Sequence, residues 1–123
     1  MITYYTKEGK FKVGKTEAVP FSSLHRLNGP AFISKHIKIW YKNGKYHREN
    51  GPAIVWKDVD EEWRANGKKH RLDGPAVTWD NGKKEYWISG IRLDTKEVEV
   101  WIRNNNINLK TEVGQILFML RFL

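Results

Sequence analysis

Four histidines and a few hydroxyls are the side chains in this 123-residue chain best suited to acid–base, nucleophilic or metal chemistry. Three of the four recur with an arginine behind them: His25-Arg26, His47-Arg48 and His70-Arg71. Neutral imidazoles ligate zinc and act as general bases. A zinc ion, however, needs its ligands within about 2 Å of itself. If each copy of the motif contributes two strands about 4.8 Å apart, equivalent histidines stand about 10 Å apart and cannot share an ion. They are read as structural, bonding a turn carbonyl or packing on the next hairpin's tryptophan, and no metal or cofactor is expected. Ser23-x-His25 has no triad partner, and there is no Gly-x-Ser-x-Gly elbow, Walker A loop or Gly-x-Gly-x-x-Gly. The absence of cysteine excludes thiolate sites and disulfides. Asp58, Asp60, Glu61 and Glu62 form an acidic knot without EF-hand spacing, read as a solvated tip. The chain is therefore expected not to be an enzyme.

The elements that would hold these residues announce themselves by repetition. His25-Arg26-Leu27-Asn28-Gly29-Pro30-Ala31 returns as 47–53 and again as 70–76, at steps of 22 and 23 residues. A fixed period in the twenties marks one supersecondary unit copied in tandem. Recurrence points to construction, so His25, Arg26, Gly29, Pro30, His47, Arg48, Gly51, Pro52, His70, Arg71, Gly74 and Pro75 are assigned structural roles, the arginines either stacking on the aromatic rings or pairing with the Asn/Asp of a neighbouring turn. Asn or Asp would cap its own backbone, Gly would take a conformation other residues avoid, and Pro would stop further pairing. Ala would let neighbouring backbones approach.

Each unit reads as two short strands. Phe32-Ile33, Ile54-Val55-Trp56 and Val77-Thr78-Trp79 follow the phrase, and after a polar break come Ile37–Tyr41, Glu62–Ala65 and Glu85–Ile88. Asn43-Gly44, Asn66-Gly67 and Ser89-Gly90 then predict tight hairpin turns. Four residues before each turn glycine stand Tyr5, Trp40, Trp63 and Tyr86, so 4–11 reads as a degenerate first repeat. A second column, Ser34, Trp56 and Trp79, follows each repeated proline by four. Stacked rings in such rows would give a thin sheet its core, a ligand platform being the alternative. Residues 12–23 fall outside the period, as a loop or an inserted strand.

The pattern lapses after Gly90. Asp94 or Thr95 with Glu97 resembles a capping signal, and Val98, Trp101 and Ile102 follow helical spacing, which predicts a helix over 95–104. A second helix is expected from Thr111, with Val113, Ile116, Leu117 and Leu120 on one face; a strand over 115–123 is the alternative. This segment is apolar nearly all round, so it should cover the open sheet face or else form a dimer or partner contact. The sum is one mainly β domain over 1–123, an antiparallel β-hairpin repeat meander of seven or eight strands. Hairpin repeats span 25–94, and a helical C-terminal cap spans 95–123.

Charge is distributed unevenly. The net charge is +8. Residues 1–57 hold 11 Lys/Arg against three acids, while 58–123 hold 11 against 11, so the whole excess lies in the first half. Such asymmetry suits an anionic partner. Lys35, Lys38, Tyr41, Lys42, Lys45, Tyr46, Arg48 and Lys57 are the predicted partner-binding residues, with Tyr41 and Tyr46 as anchors. The favoured partner is a protein with an acidic surface, occluded stoichiometrically. The alternative is nucleic acid or an anionic nucleotide, since cations interleaved with rings also suit single strands. The N-terminal residues lack an apolar h-region and the longest apolar run, 116–120, cannot span a bilayer, so a cytoplasmic protein without a membrane partner is expected.

The near-23-residue unit, with its aromatic strand, Asn-Gly-Lys turn and downstream glycine, resembles a divergent MORN-type repeat. The His-Arg-x-Asn/Asp-Gly-Pro-Ala phrase is similar to small repeat proteins of tailed bacteriophages. The resemblance covers 25–90 well and 4–11 weakly. Standard MORN units carry Gly-x-Gly where this chain has Gly-Pro-Ala, so the wider family's membrane-lipid role is not carried over. The resemblance implies a β-hairpin binding scaffold and a phage accessory protein, acting against a host defence system in the host cytoplasm.

Overall fold

The structure, a computed structural model, describes residues 1–14, 17–57 and 60–123. Its main sheet contains eight strands: β1 (Ile2–Thr6), β2 (Gly9–Val13), β3 (Phe32–Ile33), β4 (Ile37–Ile39), β7 (Ile54–Trp56), β8 (Glu61–Glu62), β11 (Val77–Thr78) and β12 (Lys84–Glu85). Three two-stranded hairpins alternate with them: β5 (Tyr41–Lys42) with β6 (Lys45–Tyr46), β9 (Arg64–Ala65) with β10 (Lys68–Lys69), and β13 (Trp87–Ile88) with β14 (Ile91–Arg92). The main sheet runs β12-β11-β8-β7-β4-β3-β1-β2, antiparallel throughout. The meander expected from the repeats is present.

Each long second strand of a repeat is interrupted, where the sequence suggested one continuous strand. The break falls at Trp40, Trp63 and Tyr86. Trp40 donates its N–H to Ala53 O at 2.7 Å and its carbonyl accepts from His47 N at 3.1 Å. Trp63 does the same with Ala76 (2.6 Å) and His70 (3.1 Å). Residues 48–52 and 71–75 thus form loops that leave the ladder between two of its rungs. Ala31, Ala53 and Ala76 are fully buried where the ladder resumes. The three hairpin turns have φ of 51°/76°, 52°/84° and 49°/82° at Asn43-Gly44, Asn66-Gly67 and Ser89-Gly90, both positive as the predicted turn type demands.

Two apolar clusters lie at the ends of the ladder. The first gathers Leu24, Ala31, Phe32, Ile39, Tyr41 and Ile54, with Tyr4, Tyr5 and Tyr46 packed against it. The second gathers Tyr86, Ile88, Leu93, Val98, Leu109 and Phe118. Between them the interior turns polar: positions equivalent to buried Ile39 are Glu62 and Glu85, both buried.

Helix α1 (Thr95–Asn104) begins at the predicted residue, with the Asp94 carboxylate accepting from Glu97 N at 2.9 Å. Helix α2 (Glu112–Phe122) is capped by Thr111 through Gly114 N at 3.0 Å, so the strand alternative is not what forms. The helices do not cover the open sheet face. They close the end of the ladder: Leu93 donates to Tyr86 O where His47 and His70 donate in earlier units, and Phe118 meets the Tyr86 ring edge-on at 6.2 Å. The cap stands where a further repeat would have been. No helix among the described residues is long and apolar enough to cross a membrane.

Candidate binding face

The repeated phrase builds the same small device three times. Arg26, Arg48 and Arg71 each reach back over the aromatic of the preceding unit, their guanidinium carbons 3.9, 4.0 and 3.7 Å from the ring centroids of Tyr5, Trp40 and Trp63. Each Nη1 donates 3.1 Å to the carbonyl of its own phrase's proline, Pro30, Pro52 or Pro75, which closes the loop. Cation–π attraction and a charge-assisted hydrogen bond thereby hold one planar group on two sides. The aromatic column is therefore ring alternating with guanidinium, and the expectation of rings stacked on rings is corrected.

The phrase glycines fit this device for a reason the sequence reading missed. None of Gly29, Gly51 and Gly74 has a left-handed φ. Instead a Cβ there would lie 2.9, 2.5 and 2.9 Å from the arginine's guanidinium carbon. Glycine is needed because the guanidinium lies flat against the backbone. The third phrase adds an ion pair, Arg71 Nε to Asp73 at 2.6 Å, and Lys110 approaches the same carboxylate at 3.4 Å. The two cations hold Asp73 below the usual carboxylate range against the opposing effect of burial.

The histidines face the other way along the ladder. Nδ1 of His25, His47 and His70 accepts the backbone N–H of Asn43, Asn66 and Ser89 at 3.0, 3.0 and 2.9 Å. They hold the hairpin turn of the following unit by its N–H, and not by a carbonyl as expected. Accepting at Nδ1 places the neutral ring's proton on Nε2. For His47 that nitrogen lies 2.8 Å from exposed Glu49, whose carboxyl is lowered by the contact. Burial lowers the His70 pKa. Among the described residues no group of three or more His, Cys, Asp or Glu is arranged to hold a metal ion.

Successive phrase loops leave two equivalent open clefts. One, of about 390 Å³, lies between the first and second loops, against Arg26, Trp40, Lys42 and Arg48. The other, about 460 Å³, lies between the second and third, against His47, Arg48, Trp63, Arg71 and Gln115 of α2. The Trp63 indole N–H is shielded from solvent there and has no partner among the described residues.

The predicted partner-binding residues divide into two groups. Lys35, Lys38, Lys42, Lys45 and Lys57 are exposed. Lys35 and Lys57 stand at the turn end of the main sheet, Lys38 on β4, and Lys42 directly opposite Lys45 in the β5–β6 hairpin. Tyr41 is no anchor. It is buried in the first core cluster, 5.0 Å ring to ring from Tyr46, and burial drives its hydroxyl pKa upward. Tyr46 is half-buried under Arg64, whose guanidinium carbon sits 4.9 Å over the ring. Arg48 is held on Trp40.

Two features escaped the sequence reading. Trp56 and Trp79, assigned to a core column, are 37% and 40% exposed at the sheet's turn end. Glu61 and Glu62 are not one solvated tip either. Glu61 is exposed, but buried Glu62 pairs with Arg64 at 2.9 Å. Its counterpart Glu85 accepts the indole N–H of both Trp79 and Trp87 at 2.9 Å. Burial raises the Glu85 pKa, but these two bonds and the nearby Arg92 and Lys69 leave it lowered. Alignment of the copies sets Glu62 and Glu85 against Ile39, the signal that could have marked them as inward. Asp58, also in the predicted knot, lies outside the described residues.

Comparison with family models, with curated proteins and with solved structures found no match to this chain.

Proposed function

We propose that this protein is a non-enzymatic binding scaffold that occludes an acidic surface of a partner protein through its basic N-terminal half. One observation carries the reading. Among the described residues, Lys7, Lys10, Lys12, Lys35, Lys38, Lys42, Lys45 and Lys57 have no carboxylate within 4.0 Å, and their half of the chain holds three acids against 11 Lys/Arg where the other half holds 11 of each. Lys42 and Lys45 even face each other across the hairpin, an arrangement that costs stability unless a partner's charge offsets it. A divergent MORN-type repeat protein of a tailed phage, acting on a host defence component in the cytoplasm, is the biological setting that fits the repeat phrase.

A nucleic-acid reading is the second. Half-exposed Trp56 and Trp79, each beside a turn lysine, favour it. Against it, the rings best placed among the lysines are already covered: Trp40 by Arg48, Tyr46 by Arg64, and Tyr41 by the core. Affinity capture from bacterial lysate, with and without nuclease, separates the two. Retention of one stoichiometric protein after nuclease, lost with Lys38→Glu/Lys42→Glu/Lys45→Glu, is the expected outcome. Loss of all bound material on nuclease treatment overturns the protein reading. The Lys42→Glu change also creates a cross-strand ion pair with Lys45 in the single variant, worth about 0.2–1 kcal/mol, so lost binding there is not lost folding.

A further inference from the structure

Helix α2 is apolar on two sides, and the fold uses one. Gly114 and Phe118 are buried, and Phe118 and Phe122 pack on Trp101 at 6.3 and 5.4 Å. The other side carries Val113, Ile116, Leu117 and Leu120, which are 67%, 45%, 41% and 74% exposed. At 3.6 residues per turn these four fall on one stripe about 100° wide.

The stripe has a symmetry of its own. About the midpoint of the stripe, between Ile116 and Leu117, the residues pair by position: Val113 with Leu120, Ile116 with Leu117. Their exposures pair as well, high with high and middling with middling. A two-fold axis through that midpoint lays two such helices antiparallel, with Val113 on the partner's Leu120 and Ile116 on the partner's Leu117. Self-complementarity of this kind is what an isologous interface requires. Charge agrees. The whole +8 excess lies in residues 1–57, while 58–123 hold equal numbers of acids and bases. Two copies can therefore meet through α2 while their cationic halves stay at the outer ends. The edges of the stripe carry one charge of each sign, Glu112 and Arg121.

We propose that α2 is a homodimerisation surface, the occupant of its exposed stripe being the same stripe of a second copy, antiparallel about the two-fold axis. An 11-residue helix is about 16 Å long, so the helix pair alone falls short of the roughly 800 Å² per partner of a standard interface. Self-association in the micromolar range follows, reversible on dilution. The dimer would carry two basic faces pointing away from each other, which goes beyond the binding reading above and does not depend on it.

Sedimentation equilibrium of the purified chain across the micromolar range tests this. The expected result is a mass that rises from 14.5 kDa towards twice that value with concentration. Leu120→Glu should weaken association at least tenfold with unchanged far-ultraviolet dichroism; if it does not fold, Val113→Lys takes its place with the same expectation. The antiparallel register is tested by cross-linking, since the native chain has no cysteine. Val113→Cys mixed with Leu120→Cys should form the mixed disulfide in preference to either self-disulfide, because each residue lies about 10 Å along the axis from its own copy. A constant 14.5 kDa mass, association undisturbed by both charged variants, or preferred self-disulfides would each overturn the proposal. The first of these would leave the stripe to a foreign protein.

Discussion

Replacing Gly51 by alanine is the sharpest probe of how the repeats hold together. The new methyl carbon would sit 2.5 Å from Arg48 Cζ and 2.6 Å from its Nε, distances no real contact allows. The backbone is part of the ladder, so the guanidinium moves. It then leaves the Trp40 ring, a contact worth about 0.5–2 kcal/mol, and the Pro52 carbonyl, a charged hydrogen bond worth about 1.5–3 kcal/mol. Water recovers some of both. Alanine at a φ it accepts returns about 0.4–1 kcal/mol by restricting the unfolded chain. The net expectation is a loss of about 1–2 kcal/mol, or a Tm lower by about 4–8 °C for a chain of this size. The decisive measurement is a double-mutant cycle by urea unfolding. In an Arg48→Ala background the obstruction is gone, so Gly51→Ala should there be neutral or stabilising. An equal loss in both backgrounds would refute the account, since the glycine would then be serving its own backbone conformation.

Two further outcomes follow from the titrating groups. His70 is half-buried, which lowers its pKa from the usual 6.5, and its Nδ1 must stay unprotonated to take the Ser89 N–H. Unfolded chains therefore bind the proton more readily, and stability should be full above about pH 6.5 and decline as pH falls towards the lowered value. The Tm difference between pH 7.5 and 5.5 should shrink in His70→Gln; an unchanged difference would remove His70 from the account. Glu85 is also lowered, so its contribution is present above about pH 4.3 and is lost as pH falls through the folded value. Glu85→Gln leaves one of two indole N–H groups without its acceptor, a cost of about 1.5–3 kcal/mol. The indole N–H resonances of both Trp79 and Trp87 should move in that variant; if only one moves, the shared carboxylate is not the link between them.

How much could be read from residues alone varied with the range of the interaction. Asn-Gly turns and helix starts are decided within four residues: the turns form where expected, Asp94 is the cap of the two residues considered, and Thr111 caps the second helix that was expected to begin there. Repetition fixed the unit and its strand pairing. What was lost is contact between units. The residues allowed the arginines either a ring or a neighbouring turn, and no local pattern chose the ring eight residues back for Arg48 or the turn N–H nineteen residues on for His47. Phrase glycines looked like turn residues because glycine serves tight turns and close approach alike, and only the neighbouring guanidinium tells them apart. In α2 both sides are apolar, so periodicity could not say which would be buried; Gly114 decides, since a Cβ there would collide with the Asn108 carbonyl. Tyr41 sat among lysines in sequence yet alternates inward, beside Ile39, once the strand bends at Trp40.

The loops that leave the ladder at Arg-x-Asn/Asp-Gly-Pro close on themselves each time, and the seams between copies repeat the same arginine-on-ring and histidine-to-turn contacts. One copy can therefore be duplicated or excised in frame, as a whole 22- or 23-residue segment, with the arginine and histidine contacts re-formed at the new seam. Lineages carrying such a chain could lengthen or shorten it by simple recombination, and the reach of the molecule would change while its ends stayed the same.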